Sequence, residues 1–127
     1  MTRWTSLAIA GLLVMTVAVM APITAYAENI GGAVYVVTYV DVVPTALGQG
    51  EGILRTFAAN SRKVPGCVRF ELLQQSDRHN HFVLLEAWQD QAAFDAFTGA
   101  DQTRQFRAQM QPLLGSPFDE RLHHELR

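Results

Sequence analysis

The segment Ala33–Val43, AVYVVTYVDVV, constrains this chain more than any other part of it. Its density of β-branched and aromatic residues reads as a strand. One face carries Val34, Val36, Val40 and Val42; the other carries Tyr35, Val37, Tyr39 and Val43. A sheet with one wet face alternates apolar with polar residues, and this strand does not. It belongs in a sheet covered on both sides. A small domain must find the second cover in a partner or a ligand.

The elements that follow supply only the first cover. Pro44-Thr45 opens a helix, with Thr45 as the expected N-cap, and Ile53, Leu54, Phe57, Ser61 and Val64 recur at helical spacing. Gly48, Gly50 and Gly52 weaken that helix by up to ~1 kcal/mol each relative to Ala. Either the helix approaches a neighbour closely there, or that stretch is simply exposed. Val64-Pro65-Gly66 turns the chain. Cys67–Gln75 sets Val68, Phe70 and Leu72 against Arg69 and Glu71, and after a polar turn Phe82–Trp88 completes a hairpin. Asp90 is placed to cap a short helix with Ala93, Phe94 and Phe97 on one face. A second helix from Asp101 turns Phe106, Met110 and Leu113 inward, and Phe118–Leu126 forms a last, more exposed strand. This order, β-α-β-β-α-α-β, predicts the α+β class with a ferredoxin-like split βαβ topology and its helices on one face. An identical subunit stacked sheet to sheet would cover the other face, and space between sheet and helices could hold a small apolar molecule.

The N-terminal segment belongs to a different category. Arg3 is the only charge before Glu28, Leu7–Met20 is almost wholly apolar, and Ala25-Tyr26-Ala27 offers small residues at the two positions a signal peptidase reads. Residues 1–27 are therefore expected to be a cleavable signal peptide, and the mature protein periplasmic or secreted. A membrane anchor needs ~20 uninterrupted apolar residues, and Pro22 interrupts this run early. The domain then spans residues 33–127. The whole chain carries a net charge of −2, and loss of Arg3 makes the remainder more negative. That balance argues against nucleic acid or an anionic membrane as partner. Cys67 is the sole cysteine, so no intrachain disulfide can form.

Two stretches carry a resemblance. Val64-Pro65-Gly66-Cys67-Val68-Arg69-Phe70-Glu71-Leu72 is followed by Asn80-His81-Phe82-Val83-Leu84-Leu85-Glu86-Ala87-Trp88 and then by the Ala-rich Asp90–Phe97. In this order and spacing they resemble the antibiotic biosynthesis monooxygenase (ABM) family, over roughly Val34 to Leu126. The resemblance implies a homodimeric α+β barrel. It also implies oxygenation by O₂ of a small quinol-like or polycyclic aromatic compound, without metal or flavin. A quinol or anthrone can be deprotonated to an anion that itself gives an electron to O₂. The protein need only bind the ring, favour the anion and exclude water.

The residues that could do this fall into two groups. Glu86 and Trp88 share a strand face with Phe82 and Leu84. Burial would raise the Glu86 pKa and suit it to proton transfer, unless Arg69 or another cation ties it down. Trp88 could stack an aromatic ring or serve as a core or interface residue. Tyr39, Leu84, Phe94 and Phe97 complete the expected substrate contacts. Many members of the family carry His at the position of Phe97, and its absence removes a proton carrier or haem ligand. The competing reading is a non-catalytic dimeric module that binds a hydrophobic small molecule. His79 and His81, two apart at the hairpin, could seed a metal site if both lay on a strand; His123 and His124 sit in the last strand. A closed site needs more ligands than these pairs supply, so surface histidines are expected. Cys67 is expected to be a small buried residue rather than a nucleophile.

Overall fold

The computed structural model describes residues 32–126; the expected leader, 1–27, lies outside the described residues. Four strands, β1 (Val34–Asp41), β2 (Cys67–Gln74), β3 (His81–Trp88) and β4 (Asp119–His123), form one antiparallel sheet in the order β2-β3-β1-β4. Between them run α1 (Leu47–Ser61), α2 (Gln91–Gly99) and α3 (Asp101–Met110). This is the split βαβ arrangement expected from the element order. Among the described residues no helix is long and apolar enough to cross a membrane.

Strand parity decides what the helices cover. Val36, Val40, Phe70, Phe82, Leu84 and Trp88 pack with Leu54, Phe57, Phe94, Phe97, Phe106 and Met110 into one buried core. The opposite sheet face carries Tyr35, Val37, Tyr39, Leu73, Val83 and Leu85. Tyr39 is 47% exposed there and Leu73 45%. Both faces of β1 are apolar, as the strand's composition demands, and the helices bury only one.

Two local expectations are corrected. Thr45 does not cap α1: residues Pro44–Ala46 form a 3₁₀ turn, and the cap position is Ala46, with no side-chain hydrogen bond. Proline fixes the φ of that turn and postpones the α-helix by a few residues. Val68 does not point to the core. A bulge between Cys67 and Arg69 ejects it, leaving it 68% exposed, because the extra residue of a bulge has no partner across the ladder. His79 lies in the polar turn before β3, as the sequence indicates. Asp90 caps α2 as expected, accepting from the Ala93 amide at 2.8 Å.

Two glycines are required by geometry. Gly66 sits at φ 84°, and a Cβ there would lie 2.5 Å from the Cβ of Ala93. Its carbonyl also accepts from the Gln89 amide at 2.9 Å, pinning the start of β2 to the end of β3. Gly50 lets α1 approach β1's end, since a Cβ there would meet Val42 Cγ1 at 2.8 Å. Gly48 and Gly52 face open space, so the two explanations for the glycine run each hold, at different positions. Gly66→Ala is expected to lower unfolding free energy by ~2–3 kcal/mol through left-handed strain and the Ala93 overlap. Gly48→Ala should instead raise it by up to ~1 kcal/mol. Urea titrations of the two variants check both signs.

Candidate functional site

β3 delivers three of the expected residues to one place. Leu84, Glu86 and Trp88 alternate onto its helix-covered face, and all are buried. Trp88 is fully buried, with its ring 4.4 Å from Phe97 and 6.4 Å from Phe94, centroid to centroid. Its indole Nε1 donates to Glu86 Oε2 at 2.9 Å. An indole has a single N–H donor, and here it is spent on the carboxyl. Trp88 is therefore a core residue that orients Glu86, and it does not line the cavity beside that group.

The cavity lies between the sheet and the three helices. Thr38, Leu84, Glu86 and Glu120 form its sheet side; Phe57, Phe97, Phe106 and Arg107 close it from the helices, with Phe118 at the edge. The remaining free volume is about 10 Å³, close to that of one water. Aromatic rings occupy most of the space. Phe57 and Phe106 stack with centroids 3.7 Å apart and planes 2° from parallel, and Phe97 packs 5.7 Å from Phe57.

Glu86 is the group this environment changes most. Burial pushes its carboxyl up to about 7, Glu120 adds to the rise, and the Trp88 hydrogen bond and Arg107 oppose it. Arg107 pairs with Glu120 and lies over the Phe118 ring, 5.4 Å from its centroid. Arg69 plays no part at Glu86. It projects from the other face of β2 and pairs with Glu71 at 2.9 Å, because it alternates with Phe70, which lies opposite Glu86.

Tyr39 is a second correction. It sits opposite Val83 on the face that the helices leave open, one residue out of phase with the cavity, so it does not share a site with Glu86. Phe94 packs behind Trp88, away from the cavity. Thr38, by contrast, was missed. It faces Leu84 and Glu120 across the two ladders. Its Oγ1 is the one buried side-chain polar atom without a hydrogen-bond partner among the described residues. Buried hydroxyls are normally satisfied, so this one marks where a ligand oxygen would gain a partner. The signal was a lone polar residue in a valine-rich face, masked by threonine's ordinary preference for strands.

The remaining titratable groups lie elsewhere. His81 approaches Asp41 at 3.5 Å, while His123 and His124 are exposed. Among the described residues no three His, Cys, Asp or Glu side chains come together to hold a metal ion. Burial, with Glu86 nearby, pushes the Cys67 thiol up, which disfavours the thiolate a nucleophile needs.

The raised Glu86 pKa has a consequence for stability. The folded state holds this proton more tightly than the unfolded chain, so folding stability falls as pH rises from about 4.5 through about 7. Glu86→Gln keeps an acceptor for Trp88 and removes the titration. The stability of Glu86→Gln relative to wild type is expected to rise by on the order of 3 kcal/mol across that window and to be flat on either side. Denaturation at a series of pH values measures it.

Comparison with known proteins agrees with this architecture. The family model described as antibiotic biosynthesis monooxygenase matches residues 33–109. An uncharacterized protein of Synechocystis, sll1783, is 25% identical over 118 residues, covering 91% of this chain and 80% of its own. Among solved structures, Rv0793 from Mycobacterium tuberculosis superposes with a TM-score of 0.71 at 24% identity, over 76% of this chain and 97% of that one. A candidate antibiotic biosynthesis monooxygenase from Nitrosomonas europaea gives a TM-score of 0.71 at 22% identity, over 76% and 92%. These likenesses establish a common fold. With the family model spanning more than half of its length, the chain belongs to the antibiotic biosynthesis monooxygenase family.

Proposed function

We propose that this protein is a monooxygenase that oxidises a small quinol-like or polycyclic aromatic compound with O₂, using Glu86 as the base and no bound cofactor. The observation that carries the reading is a carboxyl poised near neutrality beside an unpaired buried hydroxyl in an aromatic cavity. A general base works best when its pKa lies near the operating pH. Ionised Glu86 takes a proton from the substrate hydroxyl, and Thr38 Oγ1 donates to a second substrate oxygen. The resulting anion passes one electron to O₂. The radical pair recombines into a peroxide at a ring carbon, which loses water. For a hydroquinone and O₂ the products are a hydroxyquinone and water, so atoms and electrons balance without an added reductant. The Phe57, Phe97 and Phe106 rings must shift to admit the substrate, and they then shield the anion from solvent.

The open sheet face supports a homodimer, with Tyr35, Val37, Tyr39, Val83 and Leu85 as its contact surface. Exported protein would work in this form in the periplasm or outside the cell. One observation favours a second reading, a non-catalytic module for a hydrophobic ligand: Phe97 fills the cavity wall where relatives often carry His.

Oxygen uptake with a panel of hydroquinones and anthrones tests the chemistry. Glu86→Gln is expected to lower kcat/KM by ~10²–10⁴-fold, and wild-type activity should rise as pH passes about 7. Trp88→Phe removes the hydrogen bond that lowers the Glu86 pKa, so it should move that rise to higher pH. Absence of turnover across the panel, with ligand binding retained, establishes the binding module instead. Sedimentation of Leu85→Lys tests the assembly: a dimeric wild type and a monomeric variant are expected.

A further inference from the structure

A groove of about 630 Å³ runs between α1 and α3 on the outside of the molecule. Its floor includes Phe57 and Phe106, the same stacked pair that walls the cavity beside Glu86. Two side chains in face-to-face contact thus form the partition between an outer groove and the inner site. The groove is large enough for a bicyclic or tricyclic ring system; the inner cavity, as it stands, is not.

The chemistry of the groove is specific. No charged side chain lines it, although 17% of the chain is Asp, Glu, Lys or Arg. Its polar groups are the carboxamides of Gln49, Asn60, Gln102, Gln105 and Gln109, which both donate and accept hydrogen bonds, and the Thr56 hydroxyl, which donates to the Gly52 carbonyl within α1. Gly48 and Gly52, one helical turn apart, line the α1 side, and nothing lies within 4 Å of where their Cβ atoms would be. No packing inside the chain calls for glycine at either position, in contrast to Gly50. Their effect is to keep the groove wide where a side chain would narrow it.

We propose that this groove is a binding site for a neutral, flat aromatic compound bearing hydroxyl or carbonyl groups, and that substrate docks there before passing the Phe57–Phe106 pair to reach Glu86. The proposal rests on the reading of Glu86 as the reacting carboxylate. Carboxamides satisfy the ring's oxygens without a charge, the phenyl floor meets its face, and movement of the stacked pair joins the two spaces.

The probe is 2,7-dihydroxynaphthalene, with 2,7-naphthalenedisulfonate as the charged counterpart of the same shape. In ¹H–¹⁵N spectra of the mature protein, the side-chain NH₂ signals of Gln49, Gln105 and Gln109 are expected to shift with the diol and not with the disulfonate. Gly52→Leu fills the groove and improves helix propensity, so it should fold at least as well as wild type. It is expected to weaken diol binding by about tenfold or more, and to raise KM for the oxidised substrate while leaving kcat near wild type. Shifts confined to other residues, or unchanged diol binding in Gly52→Leu, would overturn the groove. If hydroquinones are oxidised and Gly52→Leu leaves KM unaltered, the groove falls and the chemistry at Glu86 stands. If the diol binds in the groove but no hydroquinone is consumed, the site stands and the chemistry falls.

Discussion

A carboxyl group buried among phenyl rings destabilises a fold unless something holds it, and here the holder is an indole. Trp88 donates to Glu86 Oε2 at 2.9 Å from two residues along the same strand. The arrangement needs no loop and no distant partner, because residues two apart on a strand share a face. The indole does not neutralise the carboxyl. It offsets part of the desolvation, and burial remains the larger effect, which is why the group stays near neutrality. A buried cationic partner would have pulled it well below that range. Arg107, the nearest cation, is engaged with Glu120, so its influence on Glu86 is smaller than that of burial.

The aromatic cluster shapes what this carboxyl can meet. Phe57, Phe70, Phe97 and Phe106 come from two helices, a strand and a further helix, yet their centroids all fall within about 6 Å of Phe57. Such rings exclude water in the resting state. Groove and cavity lie on opposite sides of one aromatic wall, the Phe57–Phe106 pair.

Much of this was legible in the sequence, and the failures share a cause. Element order, the Asp90 cap and the common face of Leu84, Glu86 and Trp88 all follow from local periodicity, and the structure reproduces them. What escaped was relative parity between strands. Val68 was misplaced because one extra residue at a bulge changes which side chains face the core. Tyr39 was grouped with Glu86 because nothing in either strand alone states their register, and β1 is apolar on both faces. Thr38, its immediate neighbour, lies on the cavity side and was passed over. The Arg107–Glu120 pair joins positions 13 apart in a helix and the last strand, and no local periodicity links the two.

The absence of histidine at Phe97 bears on mechanism more than on fold. With a phenyl ring there, no imidazole lines the cavity. The side chains that do line it with ionisable groups are Glu86, Glu120 and Arg107, and the last two are committed to each other. Glu86 is therefore the ionisable group of that lining without a charged partner. On the proposed reading, one carboxyl accepts the first proton and returns it as water forms, and burial, by raising Glu86, brings it nearer to the phenolic hydroxyl it would deprotonate. Histidine is one way to place a titrating group near neutrality; desolvating a carboxylate beside an indole is another, and it leaves position 97 free to complete the aromatic wall.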